Sequence, residues 1–208
     1  MTSTQLIWSL VLNSAVAVLV FCSTLAFFRL GGQGNMKEGG RKALIYFTVD
    51  SNLLCALACL ALCVWEAFAL GRGGGVLVPR WLDLFKFAGS VAVGVTFVTT
   101  LCYLLPITKF DFKLLYAGWN FCLHALCPLA AMASWAFWER SAPLPFAWTL
   151  LGLVPTALYG VLYLWKVIVK KQWKDFYHFN VGGLWYVTVF VMLLLSFGIG
   201  AGLWALRR

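Results

Sequence analysis

Long apolar segments alternate with short polar ones along this whole chain. Six of the apolar segments are at least as long as the roughly 20 residues that an α-helix needs to cross a bilayer. Most are separated by glycine, proline or charged residues, which end helices or stay outside lipid. The pattern predicts an all-α integral membrane protein, a compact bundle of six transmembrane helices forming one domain over residues 1–208. The predicted spans are residues 5–28, 43–70, 84–105, 115–138, 146–169 and 181–206.

The composition excludes a soluble domain. Hydrophobic residues make up 62% of the chain and charged residues 11%, whereas soluble domains are about 45–50% apolar and 25% charged. The seven cysteines are an odd number, so a complete disulfide framework is excluded. Cys55, Cys59 and Cys63 share one helix face and cannot close around an ion without ligands from other helices. We therefore expect neither a metal site nor a cofactor.

The net charge of +9 is scattered over short loops. Because the basic residues form no run with interleaved aromatics, we expect them to contact lipid headgroups rather than nucleic acid. Six spans place both termini on one side of the membrane and loops one, three and five on the other. Those loops carry more Lys and Arg than the terminal side, on which Lys86 is counted. The positive-inside rule then predicts that loops one, three and five are cytoplasmic.

Polar side chains in and beside the predicted spans gather toward one half of the membrane. Polar groups are costly in lipid and usually face a bundle interior or a wet cavity. These residues all lie close to loops one, three and five, which predicts a polar cavity that opens toward that face. They are Thr48, Asp50, Ser51, Asn52, Thr96, Thr99, Thr100, Tyr103, Asn120, His124, Tyr177, His178 and Asn180.

Helical spacing orients several of these side chains. Asp50 lies about 200° around the second span from Thr48 and points elsewhere. Asn120 and His124 are four residues apart and share a face. Pro128 has no N–H, so it predicts a kink and a free backbone carbonyl at His124. Steps of three or four also form one stripe along the second span: Thr48, Asn52, Cys55, Cys59, Cys63 and Glu66.

The polar residues include the parts of a nucleophilic site, which needs a hydroxyl or thiol within reach of a base. Thr48 and His124 start their helices from the same side, so we predict a threonine nucleophile and a histidine base, with Ser51 and Cys127 as spare nucleophiles. The substrate would be an acyl ester that enters from lipid. Asn52 or Asn120 would orient the histidine or donate to an oxyanion. The residues expected to bind substrate or support the pair are Asp50, Ser51, Asn52, Asn120, Tyr177 and His178.

Two short motifs resemble those of a known family. Residues 47–54 read FTVDSNLL after a basic loop, and residues 124–128 read HALCP shortly after Trp119 and Asn120. Together they resemble the androgen-induced-gene family of six-span membrane threonine hydrolases and its bacterial relatives. The resemblance implies hydrolysis of fatty acid esters of hydroxy fatty acids, with Thr48 as nucleophile and His124 as the histidine. It also implies a bacterial cytoplasmic membrane, because residues 173–179 look like the bacterial group.

Other functions remain open for the same residues. In a transporter or binder with no covalent step, the cavity is a vestibule, and Asp50 and His124 form a proton relay or ligand site. In a haem protein, His124 and His178 are the two axial ligands. In the last span, Gly198-x-x-x-Gly202 lets helix backbones approach closely, which predicts either packing within the monomer or a homodimer.

Overall fold

The computed structural model describes residues 1–74 and 76–208. In that part of the chain, six helices are long and apolar enough to cross a membrane. This confirms the predicted all-α six-helix bundle. The helices are α1 Ser3–Leu30, α2 Phe47–Gly71, α3 Arg80–Ile107, α4 Trp119–Trp138, α5 Phe146–Val169 and α6 Trp185–Leu206.

Three helices begin later than the hydrophobic pattern predicts. α2 starts at Phe47 rather than at residue 43, because Gly40–Ile45 form a separate 3₁₀ helix. α4 starts at Trp119 because Gly118 turns the chain with φ 56°, a backbone conformation that glycine adopts without steric cost. Residues 112–116, the end of which the pattern assigns to this span, form a separate short helix. α6 starts at Trp185 because Gly182 and Gly183 both take positive φ. Hydrophobicity alone does not reveal such breaks, since the residues around them are apolar.

The helices α1 to α4 form the inner bundle, and α5 and α6 are peripheral. The first four bury a larger share of their apolar residues than the last two. Gly89 of α3 packs against the backbone of Cys55 in α2, where a Cβ would come within 2.9 Å of the Cα atom. Since lipid removes the hydrophobic force between helices, such close van der Waals contacts stabilise the bundle.

A fully buried polar network lies in the half of the bundle nearest the chain termini. The Lys86 ammonium of α3 donates to the side-chain oxygen of Asn13 in α1. It also lies 3.0 Å from the sulfur of Cys59 in α2 and 3.5 Å from the carboxylate of Glu139, which follows α4. Charged groups of opposite sign offset part of each other's desolvation cost when they are buried together.

Hydroxyl and amide groups extend this network across α1, α2 and α4. Asn13 donates to Glu139 over 3.1 Å and to the Ser9 hydroxyl over 3.2 Å. Ser9 in turn donates to Glu66 of α2, and Ser134 donates to Glu139 over 2.7 Å. Direct side-chain contacts in this network therefore tie four helices together.

The network shows that buried polar side chains also lie in the other half of the bundle, away from the polar residues that the sequence places near loops one, three and five. It also makes the placement of Lys86 among the loop charges wrong. α3 begins at Arg80, four residues earlier than predicted, so Lys86 lies almost two turns inside the helix. Glu139 directly follows the last residue of α4, and its carboxylate turns back into the bundle.

Candidate active site

His124 is held by the chain that precedes its own helix. Gly118 reverses the chain, so the carbonyl of Leu115 lies 2.7 Å from Nδ1 of His124. A carbonyl only accepts hydrogen bonds, so Nδ1 carries the proton and Nε2 presents a lone pair. The ring is fully buried. The histidine is thus fixed in the tautomer that a general base requires.

The lone pair of His124 faces Thr48. Oγ1 of Thr48 lies 3.4 Å from Nε2 of His124, and both residues are buried. Thr48 is the second residue of α2, and His124 lies one turn into α4. The distance is slightly longer than that of an optimal hydrogen bond. The structure therefore brings the predicted nucleophile and base together.

Asn52 fixes the backbone beside both residues. Its amide nitrogen donates to the Thr48 carbonyl over 2.8 Å and to the Leu123 carbonyl over 2.9 Å. Both amide hydrogens are therefore used. Of the two expected roles, orienting the histidine or donating to an oxyanion, the second has no free amide hydrogen, and Asn52 instead joins α2 to α4 beside His124.

A π-helical turn over Cys122–Leu126 explains why the Leu123 carbonyl is free. The N–H of Cys127 bonds to the carbonyl of Cys122, five residues back. The next residue, Pro128, has no N–H to offer. The Leu123 carbonyl therefore loses both of its possible helical donors and takes Asn52 instead. The acceptor that Asn52 fills is thus at Leu123, one residue before the His124 carbonyl that the proline spacing singled out.

Asn120 and Ser51 support the site from outside it. The Asn120 amide donates to the Gln33 carbonyl over 3.1 Å, which fixes loop one to the start of α4. Asn120 therefore lies on the same helix face as His124, but among the described residues no hydrogen bond joins the two side chains. The Ser51 hydroxyl lies 2.8 Å from that of Thr96 and ties α2 to α3.

Two of the predicted supporting residues lie away from the cavity. Asp50 is half-buried and takes no part in the cavity wall, as its angle from Thr48 predicts. His178 is exposed in the loop between α5 and α6. The structure therefore does not bring His178 and His124 to a common site, as two axial haem ligands require.

Tyr177 enters the site from the same loop. Its hydroxyl oxygen accepts the backbone N–H of Phe47 over 3.0 Å, and Thr48 is a direct neighbour. Asp175 holds the loop in place, because its carboxylate accepts the N–H of Phe179 and the hydroxyl of Tyr163, each over 2.8 Å. Asp175 therefore orders the loop rather than lining the cavity.

Tyr177 also brings a phenol donor to the site. Its hydroxyl group lies beside the hydroxyl groups of Thr48 and Tyr159, and no acceptor of its proton meets hydrogen-bond geometry among the described residues. The neighbouring phenol of Tyr159 instead donates to the Ile45 carbonyl over 2.6 Å. Burial raises the pKa of the Tyr177 phenol far above its ordinary value, so it stays protonated and can donate.

A cavity of about 280 Å³ adjoins Thr48 and Tyr177. Its walls come mainly from α3, α5 and α6. The surface that faces the cavity is mostly apolar, although nine of the residues that line it carry hydroxyl groups. A second cavity, of about 350 Å³ between α3 and α6, shares several wall residues with it. The shared residues are Thr99, Phe179, Thr188 and Met192.

Two contributors to the site are not found by the sequence reasoning. Tyr159 lies in the half of α5 that is nearest to loop five. In the sequence, the polar residues of the other spans are singled out because they lie close to loops one, three and five, and the same reasoning applied to α5 identifies Tyr159. The Leu115 carbonyl carries no signal, because any residue supplies the same backbone group. Comparison of the chain with models of known protein families, with curated proteins and with solved structures gives no match.

Proposed function

We propose that this protein is an intramembrane hydrolase of lipid-like esters, such as fatty acid esters of hydroxy fatty acids or similar acyl esters. The observation that carries the proposal is the 3.4 Å approach of Thr48 Oγ1 to the unprotonated nitrogen of His124 at an apolar cavity. The resemblance of residues 47–54 and 124–128 to the androgen-induced-gene family supports the same reaction.

The first half of the proposed reaction acylates Thr48. Nε2 of His124 takes the hydroxyl proton as Oγ1 attacks the ester carbonyl carbon. The Tyr177 phenol donates a hydrogen bond to the oxyanion, a role for which the amides of Asn52 and Asn120 are not free. The tetrahedral intermediate collapses with cleavage of the ester C–O bond. The histidinium then gives its proton to the leaving alcohol.

The second half regenerates the threonine. His124 takes a proton from water as the water oxygen attacks the acyl-threonine carbonyl, and then returns a proton to Oγ1 of Thr48. The carboxylic acid leaves. An alcohol in place of water would give acyl transfer by the same steps.

Labelling with an electrophilic fluorophosphonate probe tests the proposal. Purified protein in liposomes is expected to be labelled at Thr48, and Thr48→Ala and His124→Ala are expected to lose labelling together with ester hydrolysis. Thr24→Ala is the matched control, because Thr24 is a buried threonine of α1 outside the cavity. Equal labelling of wild type and Thr48→Ala would remove the proposal.

The orientation and location of the protein belong to the same proposal. We place it in a bacterial cytoplasmic membrane, with loops one, three and five in the cytoplasm. The buried position of Lys86 supports this orientation, because it removes one basic residue from the terminal side. This orientation places the carboxy terminus outside the cytoplasm, where alkaline phosphatase is active, so a carboxy-terminal phosphatase fusion is expected to be active. An inactive phosphatase on a fusion that is inserted in the membrane would indicate the opposite orientation.

A proton-coupled transporter is the second candidate function. The observation that favours it is the buried network of Lys86, Glu139 and Glu66, since intramembrane charges often mark proton pathways. If the protein is a transporter, it carries protons or a solute across the liposome membrane, and Lys86→Met is expected to abolish that transport. Asp50→Asn tests separately whether Asp50 and His124 form a proton relay. Tight liposomes with intact ester hydrolysis would leave only the hydrolase.

A homodimer through α6 is also proposed. Gly198 and Gly202 are exposed, and a Cβ at either would meet no atom within 4 Å, so both can receive a second helix. Crosslinking in liposomes is expected to trap a dimer that Gly202→Leu disrupts. A monomer at every protein-to-lipid ratio would contradict it.

A further inference from the structure

The cavity beside Thr48 has the length and the chemistry of a hydrocarbon site. Along α5 its wall extends from Thr156 to Leu164, which is about 12 Å at 1.5 Å per residue. None of the residues that form it is charged. Several of its hydroxyl groups are engaged with the protein, as where Tyr163 donates to Asp175 and Thr188 donates to the Phe179 carbonyl. Such walls fit an alkyl chain better than a polar ligand.

The position of the cavity gives a chain a route from lipid. α5 and α6 are the peripheral helices, and their outer surfaces carry exposed apolar side chains such as Leu158, Phe190 and Leu194. The cavity lies between these helices and the inner bundle, with Thr48 on its inner wall. A chain that leaves the bilayer between helices therefore reaches the nucleophile without crossing water.

The size of the cavity favours one chain rather than two. Its volume of about 280 Å³ lies at the lower end of the ~300–1,000 Å³ range of ligand sites. The adjoining cavity between α3 and α6 provides separate room for the alcohol part of an ester. Because the bilayer is as apolar as these walls, an acyl chain gains little hydrophobic free energy by moving into the cavity. The volume of the cavity therefore limits the length of chain that enters.

Gly160 leaves part of this space open. It belongs to the cavity wall, and a Cβ built on it meets no atom within 4 Å. A Cβ atom at residue 160 therefore meets no neighbour, and we expect a longer side chain there to take up part of the cavity. Gly71, at the end of α2, has equally open surroundings but lies outside the cavity.

We propose that the cavity holds a single acyl chain of the ester, with its carbonyl at Thr48, and that Gly160 sets the length of chain accepted. The proposal rests on the proposed hydrolase function. It describes the substrate more closely, as an ester with one acyl chain in this cavity, and it assigns a specificity residue that takes no part in the chemistry.

A chain-length series tests this role of Gly160. Wild type, Gly160→Leu and the control Gly71→Leu are compared on 4-nitrophenyl esters with acyl chains of 4 to 16 carbons. We expect Gly160→Leu to lower kcat/KM for the 16-carbon ester at least tenfold and to leave the 4-carbon ester within about twofold of wild type. Gly71→Leu is expected to follow wild type throughout. Equal losses at all lengths, or none, would overturn the proposal.

A binding experiment separates this proposal from the hydrolase itself. A palmitoyl ester with a photoreactive diazirine at the end of its chain is crosslinked to Thr48→Ala protein in liposomes, and the modified residues are mapped by mass spectrometry. Crosslinks to α5 and α6 inside the cavity that Gly160→Leu abolishes support the acyl site even if no ester is hydrolysed. Crosslinks that Gly160→Leu leaves unchanged, or that fall only on outward-facing residues, refute the site while leaving the hydrolase untouched.

Discussion

At the scale of single residues, the candidate site is defined by which hydrogen-bonding groups are already engaged. His124 uses Nδ1 on the Leu115 carbonyl and leaves Nε2 for Thr48. Asn52 uses both amide hydrogens on backbone carbonyls. The Tyr177 phenol receives a hydrogen bond from Phe47 and keeps its own proton. Among these groups, the phenol is therefore the one left to donate to the oxyanion of the proposed reaction.

This assignment predicts the effect of Tyr177→Phe. Removing one oxyanion donor typically lowers kcat by about 10²–10³, and the apolar ring keeps the shape of the cavity, so KM is expected to change little. Steady-state ester hydrolysis measures both constants. Tyr186→Phe is the control, because Tyr186 is exposed on α6 outside the cavity. A variant that keeps wild-type kcat would assign the oxyanion to another donor, such as the unpartnered Thr99 hydroxyl.

At the scale of elements, hydrophobic runs predict the helices well but their ends and irregular turns poorly. All six spans were predictable, because each exceeds the thickness of the bilayer core. The late starts of α4 and α6 were not, since glycines with positive φ interrupt apolar sequence there. The proline spacing predicted a disturbance at His124, but the π-helical turn moved the acceptor to Leu123, where Asn52 satisfies it.

The π-helical turn itself can be tested by Pro128→Ala. An N–H at residue 128 restores a helical donor and removes the reason for the turn, so α4 can rewind and rotate the His124 ring away from Thr48. We expect labelling of Thr48 to fall at least tenfold, because a shift of about 1 Å can cost that much or more. The thermal midpoint is expected to stay level or rise. Pro155→Ala, in α5, is the control; unchanged labelling of Pro128→Ala would show that the turn does not position the histidine.

At the scale of the whole molecule, the two halves of the bundle hold different groups of polar residues. The half near loops one, three and five holds Thr48, His124 and the cavity, and its polar residues could be identified from their depth in the sequence. The other half holds the network around Lys86 and Glu139, which sequence reasoning missed. Those charges lie close to the ends of apolar runs, where loop residues are also found. Their pairing depends on how four helices pack, which the periodicity of any one helix does not determine.

The network is expected to stabilise the fold that carries the site. Lys86→Met leaves the Glu139 carboxylate buried without its counter-charge, and breaking a buried ion pair in this way typically costs about 3–5 kcal/mol. The double variant Lys86→Met, Glu139→Gln removes both charges, so it is expected to recover much of that loss. Reversible unfolding in mixed detergent micelles measures both, with Lys42→Met in exposed loop one as the matched control. A Lys86→Met variant with the unfolding free energy of wild type would contradict a stabilising role for the network. Proton transport through the network would then be the next role to test.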